Sequence, residues 1–507
     1  MEYATGPGLR GGEKDREMYD TKNVSDSSSA GYGPPAIVNG AACRGEPEVG
    51  QVCKLNNSDL ENQAKQNGFK DLGWKRLTVV LIVEAIALGS LSLPHAFAVL
   101  GMVPGVMCSV FIGMIAVYTS FVVGQMKLKY PEIAHYSDAG RLMFGKYGYE
   151  IFAFMFVLQL IFIIASHVLT GKIMWGAITE NGIDCSIAFG VISAILLFLL
   201  AIPPKFTEVA ILGYIDFASI VVAIGITIIA TGIQSHDRTP EAAAAAAWSC
   251  WPQEGTTLAH AFIAICNICF AYSFALAQFS FMDEMHTPSD YPKSILALGA
   301  IEIVIYTVTG ATIYAFVGPD VQSPALLSAG PTIAKVAFGV ALPVIFISGS
   351  INTVVIGRYI MDRFFKGTEA HAINTPKGWG VWLALDATIT VLSWVIAEAI
   401  PFFSDLLAIS SSLFISGFTF YFPAIMWFMF IKQGKWNARE NLWLSALNGF
   451  CFLVGIVVLV VGTYSAAHDI KDTVMEVCPS LSLAPTASVY GFGRFVLDAF
   501  LDHEFQE

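Results

Sequence analysis

Val83-Glu84-Ala85-Ile86-Ala87-Leu88-Gly89-Ser90-Leu91-Ser92-Leu93-Pro94-His95 lies in an otherwise apolar run over residues 77–100. A helix crosses about 30 Å of hydrocarbon with about 20 residues, so a run of this length reads as a membrane span. It carries its own breaker. Pro94 has no N–H and its ring clashes with the carbonyl of Ser90, while Gly89 adds backbone freedom. Unpaired backbone at membrane depth is tolerated where it lines a cavity or is buried in protein. Freed amides of a half-helix suit a carboxylate, and freed carbonyls suit an ammonium or a cation. An α-amino acid carries both groups. The competing reading is a proline kink closed over by packing; Ser90, Ser92 and Glu84 beside the break favour the cavity.

The rest of the chain agrees with a membrane setting. Of 507 residues, 55% are hydrophobic and only 13% are charged, with a mean hydropathy of +0.62. A soluble protein carries roughly 25% charged residues, so the fold needs an apolar solvent around it. The net charge of −12 sits largely in the tails, and no basic stripe with interleaved aromatics points to nucleic acid. Residues 1–76 are polar and read as a disordered cytoplasmic tail. Residues 77–466 form the transmembrane domain. Residues 467–507 form a mixed C-terminal tail, with a short amphipathic stretch around Val489–Phe500.

Eleven apolar runs are long enough to span: 77–100, 102–126, 151–178, 186–202, 209–233, 258–282, 294–318, 333–357, 379–399, 403–431 and 441–466. With the N-terminal tail inside, 13 of the Lys and Arg residues beyond it fall inside and 5 outside, which fixes that orientation. An odd number of spans then places the C-terminal tail on the non-cytoplasmic side. The spacing of the first five runs is repeated by the next five. Ala201-Ile202-Pro203 and Ala399-Ile400-Pro401 mark corresponding corners on opposite sides, as inversion requires. The expectation is an all-α polytopic protein: a five-plus-five inverted repeat with an eleventh helix.

The sixth run, Cys266-Asn267-Ile268-Cys269-Phe270-Ala271-Tyr272-Ser273, has no Gly or Pro. Its unwinding is supplied by the mirror relation alone, and its small and polar residues fit a pocket wall or helix packing equally. Ser348-Gly349-Ser350-Ile351-Asn352-Thr353 in the eighth run faces an ion or substrate, or makes interhelical hydrogen bonds. Gln159, Ser166 and His167 lie in the third run, the histidine most simply a hydrogen-bonded packing residue. Glu84, Asp216, Glu302 and Asp386 fall well inside their spans. A charge there costs about 2.5–3.5 kcal/mol on insertion scales, so each is a functional candidate. Burial favours the neutral carboxyl and lets it load and release a proton. Glu84, nearest the break, and then Asp216 are the proton-coupling candidates; for each, a structural acid is the alternative. Glu398 and Asp405, at the outer edge, call for no special role.

The nine cysteines show no metal-ligand spacing; Cys266 and Cys269 sit in an apolar helix and suit core packing. Cys185 and Cys250 fall on the outer side, where a bridge between them is conceivable. Phosphate loops, H-E-x-x-H and nucleophile elbows are missing from the sequence, so no enzyme and no cofactor is indicated, and transport would draw on an ion gradient.

Glu84 to Pro94, followed by Leu100-Gly101-Met102-Val103-Pro104-Gly105, resembles the opening of the amino acid/auxin permease family, within it the fungal neutral amino acid branch. The similarity runs over residues 70–466. It implies an eleven-helix leucine-transporter-like (LeuT-like) fold and proton-driven uptake of amino acids. By that resemblance Gly89, Ser90, Leu91 and Ser92 with Phe270, Ala271 and Tyr272 hold the substrate backbone. Ser348 and Asn352 lie near the ion position of sodium-coupled relatives, though no acid stands there. The expected function is proton symport of neutral amino acids across the plasma membrane by alternating access. A sodium-coupled or vacuolar carrier of the same fold, or an amino-acid receptor without turnover, is the alternative.

Overall fold

The structure is a computed structural model that describes residues 73–86, 88–180, 186–203, 206–283, 285–371 and 375–477. Both tails lie largely outside these residues, as do the Val489–Phe500 stretch and Cys185. Each of the eleven apolar runs is helical. The first is split into α1 (Trp74–Ala85) and α2 (Gly89–Leu100). Then come α3 (Met102–Lys129), α4 (Tyr136–Thr179), α5 (Ser186–Ala201) and α6 (Phe206–His236). The sixth run is split into α7 (Leu258–Ala271) and α8 (Gln278–Asp283). The chain continues through α9 (Tyr291–Val317), α10 (Pro331–Phe364) and α11 (Pro376–Ala399), and closes with α12 (Phe403–Ile431) and α13 (Leu442–Thr473).

Two extents differ from the sequence reading. α4 begins fifteen residues before the expected span because a positive φ of 70° at Gly145 lets a short polar helix turn into the span proper. The last helical stretch runs on to Val477, past the expected end at 466. α12 takes wide π turns over Ser411–Tyr421, a form that is rare and clusters at functional places.

α2 packs on α7, α9 packs on α2 and α3, and α10 packs between α4 and α6. The bundle turns large apolar side chains outward: Met107, Phe111, Phe154, Ile229 and Val304 are all exposed. So broad an apolar surface requires lipid, and the protein is an integral, multi-pass membrane protein.

Ion pairs show which loops share a side of the bundle. Lys172–Glu398 (2.6 Å), Lys335–Glu180 and His260–Asp469 (3.2 Å) each join groups assigned outside. Lys127–Asp283 (2.8 Å), Arg363–Glu150 and Lys377–Glu369 (2.8 Å) each join groups assigned inside. The first corner is also held from its own side, by Trp382 Nε1 donating to the carbonyl of Ile202 at 3.0 Å.

Candidate functional site

The first break is real but displaced. The helix ends at Ala85, Ile86 leaves helical geometry with ψ 37°, and winding resumes at Gly89 with Pro94 inside α2. The opening expected at Gly89 and Pro94 is therefore corrected to Ile86–Leu88, with Ala87 outside the described residues. The physical reason lies in what Gly89 does. A Cβ on Gly89 would stand 2.9 Å from the Cα of Ala271, so the glycine serves close helix approach rather than backbone freedom. The second break, expected from the mirror relation alone, runs from Tyr272 to Ala277.

The two half-helices that end at these breaks are tied by one side chain. Tyr306, on α9, donates its hydroxyl to the carbonyl of Ala85 at 2.7 Å and reaches that of Ala271 at 3.3 Å. Both carbonyls are left over where a helix ends. Tyr272 stacks edge to face on Tyr306 with ring centres 5.2 Å apart, and its hydroxyl lies 3.3 Å from Ser109 Oγ. Sequence reasoning missed Tyr306. The available signal was general: a tyrosine buried in an apolar helix needs a partner for its hydroxyl.

A narrow cavity of about 60 Å³ opens beside the breaks. Gly89 and Phe270 line it, with Ser273 and Ala277 of the second break; Ser348 and Asn352 close it from α10, Ser166 and His167 from α4. Four of the expected residues thus meet around one space: Gly89, Phe270, Ser348 and Asn352. Ser90, Leu91, Ser92, Ala271 and Tyr272 are buried next to it without lining it. Ser92 donates to the carbonyl of Gly89 at 2.9 Å. Asn352 Nδ2 donates to the carbonyl of Ser348 at 2.9 Å within its own helix, which leaves the amide oxygen for the cavity. His167 is held by the carbonyl of Ile345 through Nδ1 at 2.7 Å.

Asp216, Glu302 and Asp386 are buried, and none of their carboxyl oxygens has a hydrogen-bond partner. Glu84 belongs to α1, but its side chain lies outside the described residues. The outer edge is more organised than expected. Glu398 pairs with Lys172, and Asp405, itself buried, has Asp469 as a charged neighbour. Cys250, the suggested partner of Cys185, is a free, exposed thiol.

Two interrupted helices that abut beside a cavity, within a bundle of membrane-spanning helices, define the architecture of secondary transporters. The profile of the family described as transmembrane amino acid transporter protein matches residues 70–467, and the chain belongs to that family. It is 64% identical over 432 residues to the N amino acid transport system protein of Neurospora crassa, covering 84% of this chain and 92% of the relative. A transmembrane transporter of Gibberella moniliformis is 29% identical over 409 residues, covering 80% and 85%. Among solved structures, a manganese transporter of Eremococcus coleocola aligns with a TM-score of 0.49 at 14% identity, covering 84% and 92%. Mhp1, a nucleobase-cation-symport-1 family transporter, aligns with a TM-score of 0.47 at 14% identity, covering 83% and 95%.

Proposed function

We propose that the protein is a secondary active transporter that carries neutral amino acids by proton symport with alternating access, in the plasma membrane. One observation carries the substrate class: among the described residues, the cavity between the breaks is lined by small, hydroxyl, amide and apolar side chains and the imidazole of His167, with no Asp, Glu, Lys or Arg. Such a wall accepts a zwitterion through backbone dipoles and side-chain oxygens, and leaves a charged substrate side chain unpaired. Family membership and the relative named for amino acid transport support the same class.

Size refines the reading. A water needs ~10–15 Å³ on the same measure, so the cavity of about 60 Å³ admits about five atoms' worth of ligand. The main chain of a small amino acid fits at once, and larger aliphatic or aromatic side chains require the cavity to widen. The Tyr306 bond to Ala85 occupies one of the two lone pairs of that half-helix carbonyl, and Ser348 and Asn352 offer the substrate ammonium further acceptors.

The proton has buried acids to ride on, since Asp216, Glu302 and Asp386 lack partners; Glu84 and Asp216 are the two that the sequence puts first. A sodium-coupled or vacuolar carrier is the second reading, favoured by the side-chain oxygens that Ser348 and Asn352 bring to the cavity. Labelled amino acid uptake into proteoliposomes under imposed proton or sodium gradients separates them. Proton-driven accumulation is expected. Sodium-only accumulation overturns the proton reading, and binding without accumulation makes the protein a receptor.

A further inference from the structure

The acids within the membrane differ in their company. Glu302 sits on α9 one turn before Tyr306, so the two share a face. It is fully buried with both carboxyl oxygens unpartnered. Its electrostatic neighbours are the phenols of Tyr306 and Tyr272. These are the side chains already found at the breaks, one bonded to the ends of both half-helices and the other leading the second break.

A phenol has one proton to donate. While Glu302 is neutral, Tyr306 gives that proton to the carbonyls of Ala85 and Ala271. An ionised carboxylate in a dry site is a stronger acceptor than a carbonyl and draws the hydroxyl away. We propose that Glu302 is the proton-carrying residue of transport, and that its charge state sets whether Tyr306 clamps the two half-helix ends. Protonation from one side closes the clamp. Release of the same proton to the other side frees the half-helices to move.

The elements packed against α9 bring little that competes. On α3, Lys127 is committed to the carbonyls of Pro131 and Ile133 and to Asp283. His260 of α7 pairs with Asp469 near the outer surface, and His95 of α2 lies close to that pair. Asp216 of α6 is buried and unpartnered like Glu302, and Glu84 belongs to α1 with its side chain outside the described residues. What sets Glu302 apart is the pair of phenols.

This inference rests on the proton-symport reading, and its test keeps the two separate. The full chain is reconstituted as wild type, Glu302→Gln and Tyr306→Phe, with labelled alanine as the probe. Accumulation under an imposed proton gradient and counterflow exchange at several pH values are measured together. Glu302→Gln is expected to lose gradient-driven accumulation at least tenfold while counterflow persists and no longer varies with pH. Tyr306→Phe is expected to move the pH midpoint of counterflow upward by about one unit, because the ionised acid loses a charge-assisted hydrogen bond. Wild-type accumulation in Glu302→Gln overturns the proposal. If that variant does not fold, an unmoved midpoint in Tyr306→Phe overturns it alone. Wild-type protein driven by sodium and not by protons removes the symport reading itself, and does so before any substitution is made.

Discussion

The hydroxyl of Tyr306 lies 2.7 Å from the carbonyl of Ala85, at the place where the first membrane helix stops. The same hydroxyl reaches Ala271 at 3.3 Å, where the sixth stops. A single side chain from a third helix therefore terminates both, and the half-helix ends share one donor instead of facing open space.

Removing that donor strands a buried acceptor, at a cost of about 1–3 kcal/mol. Tyr306→Phe is expected to lower the thermal midpoint in detergent and to raise amide exchange at Ile86–Leu88 and at Tyr272–Ala277. Exchange by mass spectrometry checks this. Unaltered protection at both breaks would show that the bond holds nothing.

Gly89 is predicted to be intolerant for a steric reason. A methyl there meets backbone of Ala271 at 2.9 Å, and backbone gives way poorly, so overpacking of about 1–3 kcal/mol is expected in Gly89→Ala. Gly225 in α6 is the contrast: a Cβ there meets nothing within 4 Å, and alanine gains up to about 1 kcal/mol of helix propensity. The two variants should move the melting temperature in opposite directions, with uptake lost in the first only.

On the inner side, the Lys127 ammonium is buried and gathers the carbonyls of Pro131 (2.9 Å) and Ile133 (2.5 Å) with Asp283 (2.8 Å). It thereby joins the end of α3 to the end of α8, the inner half of the sixth span. Lys127→Met leaves those acceptors without a donor. A cysteine placed at Ser280 is expected to label severalfold faster from the inside in that background, by a membrane-impermeant thiol reagent. Equal labelling would separate the ion pair from inner closure.

His135 supplies a pH dependence on the same side, just before α4. Burial holds its pKa below the usual 6.5, opposed in part by Asp138, and Nδ1 lies 2.9 Å from Ser280 Oγ. A histidine whose folded pKa is depressed contributes stability that is complete above its unfolded value and is lost as pH falls below it. Wild-type protein should therefore lose thermal stability more steeply than His135→Asn between about pH 7 and pH 5. Parallel melting curves would contradict this.

Most of the architecture was readable because bilayer thickness converts apolar length directly into helices. The spans read from the sequence also told which loops share a side, and each ion pair above joins groups of one side. The first break was visible in kind, through Gly89 and Pro94, but misplaced by about one turn. Both residues have a second use: Pro94 is accommodated inside α2, and Gly89 is needed where Ala271 passes. The second break carries no breaker at all. Tertiary contacts impose it, and only the repeat revealed it. Of the site, the residues that meet at the cavity come from four parts of the chain, and no local pattern says that Ser348 faces Gly89. Tyr306 escaped notice because a tyrosine in an apolar run reads as bulk until its hydroxyl is located. Asp405 was set aside as an acid of the outer edge, yet it is buried, with Asp469 of the last helix as its charged neighbour.

The most direct measurement is an experimental density map of the full chain with a small neutral amino acid bound. The ligand should lie between Gly89 and Phe270, its ammonium toward Ser348 and Asn352, with the chain unwound at Ile86–Leu88 and Tyr272–Ala277. Unbroken helices through both segments, or a ligand seated elsewhere in the bundle, would contradict the account.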